Sequence, residues 1–258
     1  MKALVTGGGA RLGQAMALYL GRRGYDVAVH YAGSQAGAAD TVSQLAALGR
    51  TGVALQADLL DEDETHALVS RATDALGGPL TCLINNASIF EHDTLATATR
   101  DSWDRHIGSN LRAPFVLSQK FAAQVPAPAI DDAGEPVAQG LILNMIDQRV
   151  HKLTPEFMTY TIAKMGLWAM TRTTAQALAP RVRVNGIGPG PTLQGHRQSK
   201  DHFDRQRAAT LLKRGANPSD VTAALGYFLD APAVTGQMIA ADGGQHLAWE
   251  TPDVLGVE

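Results

Sequence analysis

The fold is decided by residues 2–20, KALVTGGGARLGQAMALYL. Its first part, Lys2–Val5, is a short apolar run that predicts a buried strand, and its last part has helical periodicity. The turn between them, Thr6–Gly13, is rich in glycine. Such a turn presents backbone N–H groups at a helix N-terminus, and Gly7 and Gly13 would let the backbone approach a pyrophosphate closely. The stretch therefore predicts a dinucleotide site, and a plain tight turn is the alternative interpretation.

Strands and helices alternate along the rest of the chain. The further predicted strands are Tyr25–Tyr31, Thr51–Gln56, Leu80–Asn85, Leu141–Met145, Arg181–Ile187 and Val234–Ala241, and the predicted helices are Gln35–Leu48, Asp61–Leu76, Arg100–Gln124, a helix from about Tyr160, and Ser219–Leu229. Connections this short require parallel pairing and right-handed crossovers. The predicted fold class is α/β, a Rossmann-type doubly wound sheet of seven parallel strands in three layers, and residues 1–258 are expected to form a single domain.

Two polar segments interrupt this alternation. Pro126–Gln139 is rich in proline and predicts a surface loop. The segment 193–214 is mixed in charge and is expected to be a mobile flap over the site. Its residues His196, His202 and Asp204 match no metal-ligand spacing, so no metal site is predicted.

The composition excludes several classes of function. The 258 residues are 45% hydrophobic and 18% charged, which is typical of a globular protein with a large core. The net charge of −3 argues against a nucleic-acid partner. Cys82 is the only cysteine, so a reducing compartment is expected, and the sequence shows neither a signal peptide nor an apolar run of about 18 residues. We therefore expect a cytoplasmic protein without a membrane partner.

A possible proton-transfer site surrounds Tyr160. Lys164 is four residues further along, so both side chains lie on one face of the predicted helix. Asp147 lies thirteen residues before Tyr160, just past a strand end. A phenol, an ammonium and a carboxylate that converge there could transfer a proton, and the lysine is expected to lower the tyrosine pKa. The alternative is an amphipathic helix with a surface lysine.

The end of the second strand predicts the form of the dinucleotide. An acid at this position would bind a free ribose 2′-hydroxyl and repel a 2′-phosphate, but the chain has His30, Tyr31 and Ser34 there. Arg11 on the glycine turn could pair with phosphate. NADPH is therefore predicted over NADH. Alternatively, His30 and Ser34 merely end the strand and cap the next helix.

Four further polar or aromatic residues are candidates for the same cleft. Asp58 could accept a hydrogen bond from the adenine amine or could be a turn carboxylate, and Asn86 could hold a strand end or a ribose. Phe90 could stack on a flat ligand or pack in its loop. Asn110, in the middle of a predicted helix and near a glycine, marks either a distorted turn or a solvent-facing position.

Taken together, these motifs resemble the short-chain dehydrogenase/reductase family. The resemblance is carried by the glycine turn, Asn85-Asn86-Ala87, the Tyr160/Lys164 pair and Asp242-Gly243-Gly244, and it covers residues 2 to about 247. It implies a Rossmann-type fold and a nicotinamide cofactor. Family members are usually tetramers, so the resemblance implies a homotetramer with the helix of Tyr160 at an interface.

A finer likeness is to pteridine reductases and the related dihydromonapterin reductases. Arg11 replaces the usual glycine and Asp147 replaces the usual catalytic serine, as in that subfamily, and His30-Tyr31-x-x-Ser34 and Asn86-Ala87-Ser88-x-Phe90 are also similar. The subfamily often has a basic residue in place of Gly33, where it would pair with the 2′-phosphate. The NADPH preference is therefore expected to be softer here.

The resemblance implies three groups of site residues. The implied catalytic residues are Asp147, Tyr160, Lys164 and Asn110; the cofactor-binding residues are Gly7, Arg11, Leu12, Gly13, His30, Tyr31, Ser34, Asp58, Leu59, Asn86, Ala87, Ser88, Lys164, Gly190 and Thr192; and the substrate-binding residues are Arg11, Ser88, Phe90, Asp147 and Tyr160. Phe90 would sandwich a pterin against the nicotinamide. Lys164 would bind the nicotinamide ribose, and Asn110 would hold a water relay to it.

The expected activity is NADPH-dependent reduction of a C=N bond in a pterin-like small molecule. Asp147 motivates this hypothesis, because a carboxylate repels a developing oxyanion but can exchange a proton with a ring nitrogen. One alternative is a carbonyl reductase for a ketone, quinone or 3-oxoacyl group. A second alternative is a non-catalytic NADPH-binding regulatory protein, which the presence of both Tyr160 and Lys164 disfavours.

Overall fold

The computed structural model describes residues 1–195 and 198–250 and has a sheet of seven parallel strands at its centre. The strands are β1 Lys2–Val5, β2 Asp26–Tyr31, β3 Gly52–Gln56, β4 Cys82–Asn85, β7 Gly140–Met145, β8 Val182–Pro189 and β9 Met238–Ala241, and a separate small hairpin is formed by β5 Ala129–Ile130 and β6 Pro136–Val137. The helices are α1 Arg11–Arg22, α2 Gln35–Ala47, α3 Glu62–Leu76, α4 Arg100–Ile107, α5 Ala113–Gln124, α6 Met158–Leu178, α7 Lys200–Ala208 and α8 Pro218–Asp230. The strand order β3-β2-β1-β4-β7-β8-β9 confirms the predicted fold class.

Side chains of each strand alternate between two apolar cores, one on each face of the sheet. In β1, Ala3 and Val5 join the core that contains Leu20 and Phe228 of α1 and α8. Leu4 joins the opposite core, where Phe121 of α5 packs. Because both faces are covered, the strands are mostly apolar and the molecule has three layers.

The strand order places one crevice at the carboxyl ends of the central strands. β1 pairs with both β2 and β4, so the direction of winding reverses there. Asn85 at the end of β4 lies opposite Asn144 of β7, and Val5 at the end of β1 lies opposite Ile84. The loops that follow β1, β4 and β7 therefore converge on one edge of the sheet.

The single helix predicted for Arg100–Gln124 is wrong in one respect. One π-helical turn, Gly108–Arg112, separates α4 from α5. Pro114 lies at the start of α5 and has no N–H to donate to the carbonyl four residues earlier, which is that of Asn110. Asn110 is only 1% exposed, so the structure has the distorted turn and not the solvent-facing asparagine.

Two further differences concern local hydrogen bonding. The predicted surface loop Pro126–Gln139 contains the antiparallel hairpin of β5 and β6, which Asp131 stabilises through its backbone N–H to Glu135. α8 begins at Pro218, one residue before the predicted start at Ser219, and the Asp220 carboxylate accepts from the N–H of the N-cap residue Asn217 (2.7 Å).

A small third core lies between α6 and the segment that follows β7. Leu167 and Met170 of α6 are buried against Ile146 and Val150, and Trp168 packs beside them. Within residues 1–195 and 198–250, no helix is both long and apolar enough to cross a membrane.

The polar segment 193–214 contains α7, and Arg207 in this helix binds the residues that flank the segment. Arg207 donates hydrogen bonds from Nη1 to the carbonyl oxygens of Pro191 (2.8 Å) and Ala216 (2.6 Å). His196 of this segment and the last eight residues of the tail lie outside the described residues. Among those that are described, no three His, Cys, Asp or Glu side chains are grouped to hold a metal.

A buried polar ladder connects β4, β7 and α6. Asn85 donates from Nδ2 to Oδ1 of Asn144 (2.8 Å), and Asn144 donates from Nδ2 to Oγ1 of Thr171 (2.9 Å). Asn144 and Thr171 are both fully buried. The ladder fixes the rotation of α6, the helix that carries Tyr160 and Lys164, against the sheet.

We expect Thr171→Val to destabilise the protein by about 1–3 kcal/mol, because it leaves the buried amide of Asn144 without an acceptor. The measurement is urea unfolding followed by circular dichroism. Thr173→Val on the same helix is the matched control, because Thr173 is exposed and we expect a change within about 0.5 kcal/mol. Equal stability of both variants would contradict this role of the ladder.

Candidate active site

Tyr160 and Asp147 are in direct contact at the crevice. The phenol oxygen of Tyr160 donates a hydrogen bond to Oδ2 of Asp147 at 2.9 Å. Oδ1 of Asp147 accepts from the backbone N–H of Arg149 at 2.8 Å, so the carboxyl is held on both sides. The carboxyl therefore points to the phenol and not into bulk solvent.

Lys164 lies behind this pair. Its ammonium donates to the carbonyl oxygen of Met145 at 2.7 Å and stands 5.6 Å from the centre of the Tyr160 ring. Lys164 is 2% exposed and Tyr160 is 5% exposed. The structure thus brings the three predicted proton-transfer residues together on α6 and on the segment after β7.

The expected fall of the tyrosine pKa is wrong for this arrangement. Burial raises the pKa of Tyr160 well above its ordinary value, and the charge of Asp147 and the hydrogen bond to it raise it further. The lysine does not reverse this, because its ammonium is directed at the Met145 carbonyl. At neutral pH Tyr160 is therefore a phenol that can donate a proton.

Burial shifts the two neighbouring groups as well. It lowers the pKa of Lys164 to about 8, although the charge of Asp147 acts in the opposite direction. Burial raises the pKa of Asp147, and this is partly offset by the backbone N–H and charge of Arg149 and by Tyr160 and Lys164. The site combines a proton donor, a carboxyl with raised proton affinity and an amine that titrates near neutral pH.

An aromatic wall borders the phenol. Phe90 is 52% exposed, contacts Tyr160 edge-on with 4.7 Å between ring centres, and stacks on Phe157 at 4.3 Å with 9° between the planes. Phe157 is a site residue that sequence reasoning missed. The guanidinium of Arg149 lies 5.1 Å from the other face of the Phe157 ring, so a cation backs the wall.

The glycine turn forms a cradle at the N-terminus of α1. Gly7 has a φ of +63°, and a Cβ on Gly13 would lie 2.0 Å from the carbonyl oxygen of Gly7. The N-cap position is taken by Ala10, whose methyl group accepts no hydrogen bond, and the first turn of α1 contains no acid. Backbone N–H groups with this surrounding suit a phosphate group.

Arg11 crosses from this turn to the polar segment. Its guanidinium donates to the carbonyl oxygens of Leu193 (3.0 Å) and Gln194 (2.8 Å). Its backbone has a φ of +52°, which is rare for a residue with a side chain and is often found at functional sites. Arg11 thus lies on the rim of the crevice, where both a phosphate and a substrate could reach it.

His30 has a different position from the one expected. Its imidazole is 1% exposed, Nδ1 accepts from the N–H of Gly7 (3.0 Å), and Nε2 lies 3.0 Å from the carbonyl oxygen of Ala57. Burial lowers its pKa, so the ring is neutral. With both nitrogens engaged, His30 supports the glycine turn and cannot also bind a 2′-phosphate, whereas Tyr31 and Ser34 lie further out, where Ser34 precedes α2.

The remaining predicted cofactor residues lie along the same edge. Oδ1 of Asp58 accepts from the N–H of Leu60, as a turn carboxylate does, and Leu59 beside it is buried. Asn86 donates from Nδ2 to the carbonyl oxygen of Thr6 (2.8 Å), so it holds a strand end. The other members line the crevice: Leu12, Ala87, Ser88, Gly190 and Thr192.

Asn110 acts on the loop after β4. Its Nδ2 donates to the carbonyl oxygen of Ile89 (2.8 Å), and its Oδ1 accepts from the N–H of the same residue (2.9 Å). The side chain therefore fixes the backbone next to Phe90.

The crevice encloses a cavity of about 560 Å³. Its wall also includes residues that were not among the predicted site residues, namely Gln148, Arg149 and Gln245, together with Gln198, Phe203 and Gln206 of the segment 193–214 that was expected to cover the site. Most of these carry neutral amides, and Asp147 is the only carboxylate among the described residues that line the cavity. The wall can therefore form hydrogen bonds with a polar heterocycle.

Comparison with known proteins gives consistent relatives. The family model described as enoyl-(acyl carrier protein) reductase matches residues 9–246. The 3-oxoacyl-[acyl-carrier-protein] reductase FabG of Staphylococcus epidermidis is 30% identical over 250 residues, which is 95% of this chain and 98% of that protein.

Solved structures are similar over nearly the whole chain. FolM alternative dihydrofolate reductase 1 from Brucella suis, in complex with NADP, is 41% identical with a TM-score of 0.90 and covers 98% of each chain. The Brucella canis FolM structure, also with NADP, is 40% identical with a TM-score of 0.88 and covers 98% of this chain and 97% of its own. On its fold and on these matches, the chain belongs to the short-chain dehydrogenase/reductase family.

Proposed function

We propose that this protein is an NADPH-dependent reductase that reduces a C=N bond of a pterin-like substrate. The observation that carries the proposal is the 2.9 Å hydrogen bond from Tyr160 to Asp147 in the wall of the cavity. A serine in the place of Asp147 would donate to a carbonyl oxygen. The carboxyl instead suits a substrate whose reacting edge contains nitrogen.

The residues present fit the cofactor. Gly7 and Gly13 allow the turn and the start of α1 to pack closely together, and the N-terminus of α1 favours negative charge. The 2′-phosphate would be bound by Arg11 and Ser34, since His30 is engaged elsewhere. NADP in both FolM structures supports this assignment.

The chemistry divides between cofactor and protein. When bound, NADPH would supply the hydride that the ring carbon of the C=N bond takes up. Tyr160 would give its proton to the adjacent nitrogen, so that one C–H and one N–H bond form, and the phenolate would then regain a proton from solvent. Lys164 holds the nicotinamide ribose and, as a cation, stabilises the phenolate.

Phe90 provides the surface for a flat substrate. Half of its side chain is exposed, while Phe157 supports its other side. A pterin ring that lies on Phe90 would have the Tyr160 phenol at its edge, because the two rings are nearly perpendicular, at 70°. The printed name of the FolM relatives, alternative dihydrofolate reductase, supports a pterin-containing substrate.

A carbonyl reductase is the second candidate. It is favoured by the 30% identity to FabG, a 3-oxoacyl reductase, across 95% of this chain. The same tyrosine would then protonate an oxygen, and Asp147 would face a developing negative charge that it repels.

The proposed assembly is a homotetramer. Large apolar side chains remain exposed on α4, α5 and α6, and they are Trp103, Phe115, Ile162 and Met165. These exposed side chains give the three helices a surface that suits burial against a second copy.

Substitution of Asp147 tests the substrate class. We expect the wild type to reduce a 7,8-dihydropterin with a far higher kcat/KM than a simple ketone, and Asp147→Ser to lose about 10²–10⁴-fold for the pterin but not for the ketone. Steady-state oxidation of NADPH at 340 nm measures both. A wild type that turns over the ketone at least as well as the pterin would disprove the proposal.

Phe90→Ala tests the stacking surface. We expect kcat/KM for the pterin to fall about 10–100-fold and that for a small ketone to change less than about twofold, because only the flat substrate needs the ring. Tyr227→Ala on α8 is the matched control, since Tyr227 is as exposed as Phe90 and does not line the cavity. Parallel losses for both substrates would contradict this role.

The pH dependence of cofactor binding tests Lys164. Below its pKa of about 8 the amine is charged and can hold the ribose, whereas above it the charge is lost. We therefore expect the KM for NADPH to rise above about pH 8. Lys164→Arg keeps the charge, so its KM profile should stay flat to about pH 10 even if its turnover is lower. A wild-type profile that is flat to pH 10 would contradict the assignment.

A further inference from the structure

The N-terminus of α6 has no cap from its own sequence. The N-cap position is taken by Phe157, whose apolar side chain accepts no hydrogen bond and whose φ is +57°. The first turn also contains no acid. Tyr160 is the third residue of this helix, so groups from elsewhere in the chain must fix the orientation of its phenol.

Asp93 provides the missing cap from the loop after β4. Its Oδ1 accepts from the N–H of Thr159 (3.1 Å), its Oδ2 accepts from the hydroxyl of Thr159, and its carbonyl oxygen accepts from the N–H of Met158 (3.2 Å). Asp93 is 2% exposed. The hydrogen bonds from Thr159 and Ser102 outweigh burial and lower the pKa of Asp93, so the cap is negatively charged.

His106 of α4 closes the network from the other side. Its Nε2 accepts from the N–H of Glu91 (3.1 Å), so the proton of the neutral ring is on Nδ1. Nδ1 lies 2.7 Å from Oγ1 of Thr159 and donates to it, while that hydroxyl donates to Asp93. Every donor in this series of hydrogen bonds has an acceptor, and the imidazole of His106 is fully buried.

The same network holds the backbone on both sides of Phe90. Asn110 binds Ile89 through two hydrogen bonds, and His106 binds the N–H of Glu91. Arg105 pairs with the carboxylate of Glu91 at 3.0 Å. The substrate wall and the helix that carries the phenol thus meet at one buried imidazole.

We infer that His106, with Thr159 and Asp93, is a positioning residue that fixes the phenol of Tyr160 relative to the ring of Phe90. A residue that merely filled the core would need no pair of oriented nitrogens, whereas both nitrogens of His106 are bonded to different segments. This inference rests on the proposed function, because Tyr160 and Phe90 are its proposed proton donor and stacking surface.

Each side of the network can be broken separately. Thr159→Val removes the bond to α6, and we expect kcat to fall about tenfold with the KM for the pterin and the Kd for NADPH within twofold. Thr159→Ser keeps the hydroxyl and should restore kcat to within twofold of wild type.

His106→Asn keeps a donor toward Thr159 but loses the acceptor for Glu91, so we expect the pterin KM to rise about tenfold with kcat within twofold.

Unchanged kcat and KM in folded Thr159→Val and His106→Asn would overturn the inference, as would a loss in Thr159→Val that Thr159→Ser does not restore.

A second measurement needs no variant and no turnover. Nitrogen-15 NMR of the histidines in the wild type should show that the ring assigned to His106 is neutral and protonated on Nδ1 at pH 7. A charged His106, or a proton on Nε2, would overturn the network even if pterin turnover is found, and absence of turnover with the expected tautomer would count against the proposed function alone.

Discussion

The hydrogen bond between Tyr160 and Asp147 depends on the parallel register of the sheet and is the contact on which the site is built. Asp147 follows the end of β7 and therefore lies at the sheet edge where β1 and β4 also end. Tyr160 lies in the first turn of α6, at the same edge. Burial removes the phenol and the carboxyl from water, so both depend on partners within the protein. Loss of one would remove a buried hydrogen bond from the other, which is costly for polar groups.

The same burial determines the protonation states of Tyr160 and Lys164. The raised pKa of Tyr160 keeps its proton available for transfer to a substrate, while the lowered pKa of Lys164 places a titrating amine beside it. Lys164 bonds to the Met145 carbonyl, so its charge is held 5.6 Å from the centre of the Tyr160 ring. A neutral phenol of this kind suits the proposed reduction, in which an acid donates its proton.

Sequence periodicity was sufficient where contacts follow from regular geometry. The seven strands, the pairing of Tyr160 with Lys164 and the position of Asp147 past a strand end were all predictable from spacing. The π-helical turn was predicted only as one of two alternatives for Asn110, and Phe157 was not predicted, because it meets Phe90 only through the tertiary fold. His30 was given the wrong partner because spacing places it at the strand end but does not show that Gly7 and Ala57 engage both nitrogens.

A carboxyl in the place of a hydroxyl changes which substrates the site can stabilise. In carbonyl reduction the electron pair of the bond moves to oxygen, so Asp147 would add repulsion where stabilisation is needed. In C=N reduction the pair moves to a less electronegative nitrogen, and the carboxyl can also accept a hydrogen bond from a neighbouring ring N–H, which a simple ketone does not have. Since burial raises the proton affinity of Asp147 while Arg149 lowers it, small changes around Arg149 would alter this preference without any change in the catalytic residues. Under the proposed function, the electrostatics of one turn after β7 would set the substrate class, on a frame that the family uses for many reductions.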